Sequence, residues 1–98
     1  MEKRTPHRRL SVVRSLIEAG RVRSTASALA GGAALGLDFD DIVAIVAELS
    51  PADFFKSMTT LADHRVWQDV YRPTTHVGAV YLKLTVIDDL LIVSFKEL

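Results

Sequence analysis

The segment AVYLKLTVIDDLLIVSFK, residues 79–96, decides the fold. Two apolar-rich runs, Ala79–Ile87 and Leu90–Lys96, flank Asp88-Asp89. Aspartate tolerates the positive φ that tight hairpin turns require, so the pair reads as a two-residue turn. Ile87 is then expected opposite Leu90. Counting outward sets Leu84 against Val93, Leu82 against Phe95 and Tyr81 against Lys96. Val80, Leu82, Leu84, Val86, Leu91, Val93 and Phe95 share one wholly apolar face on this register. Tyr81, Lys83, Thr85, Ser94 and Lys96 share the other. A slip of one residue would turn lysines into the core, so the parity is strongly specified.

Two more alternating runs precede this hairpin, Phe54–Thr60 and Val66–Arg72. The loop Leu61–Arg65 joins them, and pairing Thr60 with Val66 sets Met58 against Gln68 and Lys56 against Val70. Across the loop Pro73–Gly78, pairing Arg72 with Ala79 sets Gln68 against Lys83. Lys56, Gln68, Tyr81, Lys83 and Lys96 then point to one side, and Trp67 and Tyr71 to the other. A bulge in either loop would break the agreement for its strand.

The first half of the chain is helical in pattern. Leu10, Val13, Leu16 and Ile17 form one stripe within residues 7–19, which Gly20 can close. Arg21–Ser24 reads as a short extended link. Ser24 or Thr25 can cap an alanine-rich helix through Ala26–Leu35, weakened by Gly31 and Gly32. Asp38 caps a third helix, with Phe39, Ile42, Val43, Val46 and Leu49 on its apolar stripe. Ser50-Pro51-Ala52-Asp53 starts one further turn. Helices followed by hairpin-linked strands predict an α+β fold, the helices packed on one face of a C-terminal antiparallel sheet. One domain over residues 1–98 is expected, with a helical half at 7–49 and a sheet half at 54–96. An exposed edge at Phe54–Thr60 or at Arg21–Ser24 would accept a partner strand.

Composition narrows the function. Hydrophobic residues make up 49% of the chain, which excludes intrinsic disorder. Without cysteine there is neither disulfide nor thiolate-held metal, and His7, His64 and His76 show no ligand spacing. No apolar run has the length of a membrane helix, and no signal peptide is visible, so a soluble cytoplasmic protein is expected. The zero net charge conceals a pattern. Lys3, Arg4, Arg8, Arg9, Arg14, Arg21 and Arg23 make the first 23 residues basic, whereas residues 24–55 carry five acids and no lysine or arginine. Such blocks are either solvated helix faces or surfaces for nucleic acid and for a partner.

The polar sheet face concentrates three amines, an amide and a phenol. Amines neutralise phosphate oxygens whatever the base, tyrosine can stack on a base or donate a proton, and glutamine can hold a ribose or a base edge. Single-stranded RNA is commonly bound on such faces. Its cleavage needs no metal, because the 2′-hydroxyl is an internal nucleophile. Lys56, Gln68, Tyr81, Lys83 and Lys96 are therefore the candidates for binding and cleavage, with Arg72 as a further RNA contact. His64, beside Asp63 in the adjoining loop, is either a further RNA contact or a turn residue.

Met1–His7, Leu35–Phe39, Lys56–Thr60, Trp67–Tyr71, Val80–Val86 and Leu91–Lys96 together resemble the MqsR (motility quorum-sensing regulator) toxin family, from the first residue to the last without an insertion. The resemblance implies a RelE-like fold and a ribosome-independent mRNA endoribonuclease that prefers GC-containing sites, GCU above all. It also implies a toxin of a type II toxin–antitoxin pair, with no cofactor of its own. The implied partner is a dimeric antitoxin whose N-terminal domain binds zinc and whose helix-turn-helix domain binds operator DNA, so the toxin would meet that DNA only indirectly. Carried over by position, the family's functional residues fall on Lys56, Gln68, Tyr81 and Lys96. The chain departs from the family at Phe55 and Leu61, where tyrosine is common. Two rival readings come from the residues alone. One is a non-catalytic RNA-binding module, which would bind RNA in a salt-sensitive way and release no products. The other is a protein-interaction subunit in which the acidic helix 38–49 meets a transcription factor and the polar face is inert.

Overall fold

Capping chemistry starts the second and third helices where the sequence predicts. The computed structural model describes residues 1–98. Its first strand, β1 (Glu2–Lys3), precedes helix α1 (Leu10–Glu18). The helix begins three residues later than the pattern predicts. The backbone N–H groups of His7 and Arg8 instead donate to the carboxylate of Asp69, which fixes residues 7–8 as an irregular strap across the sheet. Gly20, at φ 72°, turns the chain out of α1 into strand β2 (Val22–Ser24).

Helix α2 (Ala26–Ala33) is capped by the Thr25 hydroxyl, which accepts from the Ala28 N–H. It runs unbroken through Gly31 and Gly32, which serve close approach. A Cβ on Gly31 would lie 1.7 Å from the carbonyl oxygen of Phe95, and one on Gly32 would lie 2.4 Å from Cδ1 of Ile42. Helix α3 (Phe39–Ala47) opens on a reciprocal capping box between Asp38 and Asp41. The Arg14 guanidinium reaches from α1 to the carbonyls of Ala47 and Leu49 at the end of α3. Part of the basic arm is thus engaged within the fold, since Arg21 and Arg23 also pair with Asp89. No helix is long and apolar enough to cross a membrane.

After a 3-10 turn at Pro51–Asp53 come β3 (Phe54–Thr59), β4 (Trp67–Tyr71), β5 (Thr74–Thr75), β6 (Gly78–Ile87) and β7 (Asp89–Glu97). The sheet order is β1-β3-β4-β6-β7-β2, with β5 paired to β6. Val13, Ala28, Ile42 and Val46 from the helices, with Leu49 just past α3, pack with Tyr71, Leu82, Leu84, Leu90, Ile92 and Phe95 from the sheet in one buried cluster. The fold is α+β with its helices on one sheet face, as predicted. Two strands extend that picture. The link Arg21–Ser24 contributes β2, which pairs parallel to β7 and makes the sheet mixed at that edge. The segment Phe54–Thr60 is an open edge only in its first half, because β1 pairs with it at Ser57 and Met58.

The register differs from the predicted one at two places. Ile87 pairs with Asp89 around a single left-handed residue, Asp88 at φ 63°, so the tip is one residue tighter than a two-residue turn. Leu84 consequently faces Ile92, not Val93. A bulge opposite the step from Lys83 to Leu84 absorbs Val93, and Lys83–Ser94, Leu82–Phe95 and Tyr81–Lys96 pair as predicted. The bulge switches parity within one strand, which is why Leu90 and Ile92 are buried together with Phe95, while Leu91 and Val93 are not. Between β4 and β6, Val70 and not Gln68 faces Lys83. The cause is β5, which pairs Thr74 with Ala79 and shifts the β4 partner of β6 by two residues. A shift of two leaves every side chain on its predicted face.

Candidate active site

Strand pairing builds the polar face in three rows across the sheet. Met58, Gln68 and Thr85 lie in the first, Lys56, Val70, Lys83 and Ser94 in the second. Continuing the β4–β6 register sets Arg72 beside Tyr81, which pairs with Lys96 in the third. Val70 is fully buried yet stands outside the helix-covered core, so it floors the gap between Lys56 and Lys83. With strands roughly 4.8 Å apart and two residues spanning about 7 Å, the backbones of Lys56 and Tyr81 lie about 12 Å apart. That span suits two long side chains that reach one phosphate from either side.

The third row holds the phenol. Lys96 Nζ lies 5.0 Å from the centre of the Tyr81 ring and Lys83 Nζ 5.9 Å from it, so two ammonium groups flank one tyrosine. Burial, then the charges of Lys96 and Lys56, push the Lys83 pKa below the ordinary lysine value. Lys83, Lys96 and Arg72 have no carboxylate partner within ion-pair distance. Lys56 has one: its Nζ donates to Oε1 of Glu2 at 2.6 Å. Glu2 faces Met58 across the β1–β3 ladder, which brings a carboxylate onto a face where the sequence predicts none. A two-residue strand has no period to read, so Glu2 leaves no signal in the sequence.

The bulge between Phe54 and Lys56 in β3 turns Phe55 into a second collection point for cations. The Arg72 guanidinium sits 4.0 Å over its ring, with Lys56 Nζ at 5.4 Å and the Arg4 guanidinium at 5.8 Å. All five face residues predicted by parity, Lys56, Gln68, Tyr81, Lys83 and Lys96, thus share one surface, and Arg72 joins them. His64 does not. It is exposed in the loop beyond the first row and makes no hydrogen bond, while Asp63 is committed to Arg65 and Thr60 as a turn residue. The largest cavity, about 490 Å³, is lined by His7, Arg8, Arg65, Trp67, Val86 and Ile87 among others, and by none of the five face residues. The polar face is accordingly open, a shape that suits an extended strand better than an enclosed small molecule.

Comparison with known proteins gives two findings. The profile of a family described as "Motility quorum-sensing regulator, toxin of MqsA" matches residues 5–97. The chain is also 62% identical over 97 residues to the mRNA interferase toxin MqsR of Escherichia coli (strain K12), an alignment that covers 99% of each chain.

Proposed function

The chain belongs to the motility quorum-sensing regulator toxin family, and on that footing we propose that it is an endoribonuclease toxin that cuts single-stranded mRNA on its polar sheet face. The observation that carries this reading is the side-by-side placement of Tyr81 and Lys96 among unpaired amines on a face clear of the helices. Lys56 and Lys96 grip the scissile phosphate and stabilise the charge that builds on the phosphorane. Tyr81 gives a proton to the departing 5′-oxygen, and Gln68 orients the nucleotide. Lys83 and Arg72 hold the flanking backbone. These cations supply the charge stabilisation that a metal ion supplies elsewhere, so cutting proceeds in a chelator.

Similarity to the E. coli toxin supports mRNA as the substrate, and we extend the reading to GC-containing sites. The family's description as the toxin of MqsA supports a cognate antitoxin as the partner that restrains it. That partner is expected to carry zinc and a helix-turn-helix domain, so operator DNA is reached only through it. The place of action is the cytoplasm, where mRNA is found. The test is incubation of the chain with a GCU-containing RNA in EDTA. Cutting within that sequence, abolished in a Lys56→Ala/Tyr81→Ala double variant, is expected. Intact RNA, or equal cutting by the double variant, rejects the reading.

A further inference from the structure

Cleavage through the 2′-hydroxyl needs a group to take its proton, and nothing assigned above does so. Three observations converge on Glu2. Its carboxylate stands on the polar face, because β1 pairs with β3 and sets Glu2 opposite Met58. It lies 2.6 Å from the amine assigned to the scissile phosphate, Lys56 Nζ. It is also held in place. The Thr59 N–H donates to the Met1 carbonyl on one side, and Lys3 on the other packs its ammonium 4.1 Å over the Trp67 ring. The face is therefore two-flanked. A carboxylate and an amine stand on β1 and β3, a phenol and an amine stand on β6 and β7, and β4 lies between them. An in-line displacement requires that arrangement, with the attacking and leaving oxygens on opposite sides of the phosphorus.

Building on the nuclease reading, we propose that Glu2 is the general base of the reaction. The Glu2 carboxylate takes the 2′-hydroxyl proton as the 2′-oxygen bonds to phosphorus. The bond from phosphorus to the 5′-oxygen breaks, and that oxygen receives the Tyr81 proton. The products are a 2′,3′-cyclic phosphate and a 5′-hydroxyl. Glu2 then releases its proton to water, and Tyr81 regains one. The free enzyme prepares this step. The hydrogen bond and charge of Lys56, with Arg4 and the chain's amino group adding smaller attractions, hold the Glu2 carboxyl below the usual carboxylate range. In the free enzyme that pairing favours the ionised carboxylate, the form a base needs. An arriving phosphate competes for the Lys56 ammonium and frees the carboxylate beside the 2′-oxygen.

The test compares wild type, Glu2→Gln and Glu2→Asp on a GC-containing RNA in EDTA from about pH 5 to 8, with Tyr81→Phe alongside. Glu2→Gln is expected to lose about 10²- to 10⁴-fold in kcat with KM little changed. Its residual rate should climb about tenfold per pH unit as hydroxide replaces the lost base, while wild type stays flat. Glu2→Asp, which keeps a carboxylate on a shorter stem, should retain part of the rate and the flat profile. A substrate with sulfur in place of the scissile 5′-oxygen needs no leaving-group proton. It should rescue Tyr81→Phe and leave Glu2→Gln slow. Rates for Glu2→Gln within twofold of wild type, rescue of that variant by the sulfur substrate, or a flat profile with a parallel loss of RNA affinity would each overturn the assignment. The last result would reduce Glu2 to a positioner of Lys56. Failure of wild type to cut removes the nuclease reading itself. A cutting wild type with an undiminished Glu2→Gln removes only the role of Glu2.

Discussion

Replacing Gly31 by alanine sets two effects of opposite sign against each other, and the structure decides between them. Helix propensity alone favours alanine by about 1 kcal/mol within a helix such as α2. The new methyl, however, would stand 1.7 Å from the Phe95 carbonyl oxygen and 2.9 Å from its carbon. Reaching even 3.0 Å, the distance below which real Cβ contacts essentially never fall, requires a movement of about 1.3 Å (3.0 less 1.7). The obstacle is backbone, and it belongs to β7, which is paired on both sides, with β6 and with β2. The helix must therefore lift. Overpacking of this kind costs about 1–3 kcal/mol, and a backbone obstacle puts this case at the upper end, so a net loss near 2 kcal/mol remains after the propensity gain of about 1 kcal/mol. For a chain of this size that lowers Tm by roughly 10 °C. Gly32→Ala should cost less, because its methyl meets the far end of the Ile42 side chain. Urea and thermal melts of the two variants measure the difference. Equal or greater stability of Gly31→Ala would refute the close packing of α2 on β7. Because Phe95 precedes Lys96, the folded fraction of Gly31→Ala should also cut RNA more slowly than wild type.

The Tyr71 hydroxyl is buried without a hydrogen-bond partner, and burial pushes its pKa up to about 12. The raised value favours the neutral phenol in the folded state. Stability from this group is complete below pH 10 and lost between about pH 10 and 12, by up to about 3 kcal/mol. Tyr71→Phe should therefore melt at or above the wild-type temperature at neutral pH and lose less stability across that alkaline window. A variant that follows the wild-type alkaline curve would refute the burial argument. Asp69→Ala removes the acceptor for the His7 and Arg8 N–H groups and should destabilise by about 1.5–3 kcal/mol, since those bonds go to a charged group. It should also raise amide exchange across residues 1–8, and unchanged exchange there would contradict the strap. Binding of a non-cleavable RNA through Lys56, Arg72, Lys83 and Lys96 should weaken with salt at a log–log slope of about −3. Lys83→Gln should flatten that slope by about 0.7, and an unchanged slope would take Lys83 off the RNA path.

Alternation carried the polar face because its residues are separated by apolar neighbours that must be buried. In Tyr81-Leu82-Lys83-Leu84 each polar side chain is fixed by the leucine beside it, and both leucines are buried. The same logic located Lys56 and Gln68 through the Thr60–Val66 closure, where the Thr60 N–H does donate to the Val66 carbonyl. The signal fails where the sequence is apolar on both parities. Leu90, Leu91, Ile92 and Val93 are four consecutive apolar residues, so nothing there marks which pair faces the helices. The tighter tip at Asp88 and the bulge at Val93 shift the register in opposite directions, and the Tyr81–Lys96 pairing survives because the shifts cancel. Residues 2–3, 22–24 and 74–75 form strands too short to have a period. Their place is set by tertiary pairing, and with it the position of Glu2 and the partial covering of β3. Gly31 and Gly32 mark a close approach that propensity reads only as a weakened helix.

The claim beneath this account is chemical: the RNA's own 2′-hydroxyl attacks its phosphate while the sheet face manages charge and protons. The most direct measurement replaces that one hydroxyl by hydrogen at the cut linkage and maps the ends produced from the unmodified RNA. The account predicts no cutting at the substituted linkage and, from the natural one, a 2′,3′-cyclic phosphate with a 5′-hydroxyl. Cleavage of the deoxy linkage, or products with 5′-phosphate ends, would contradict it.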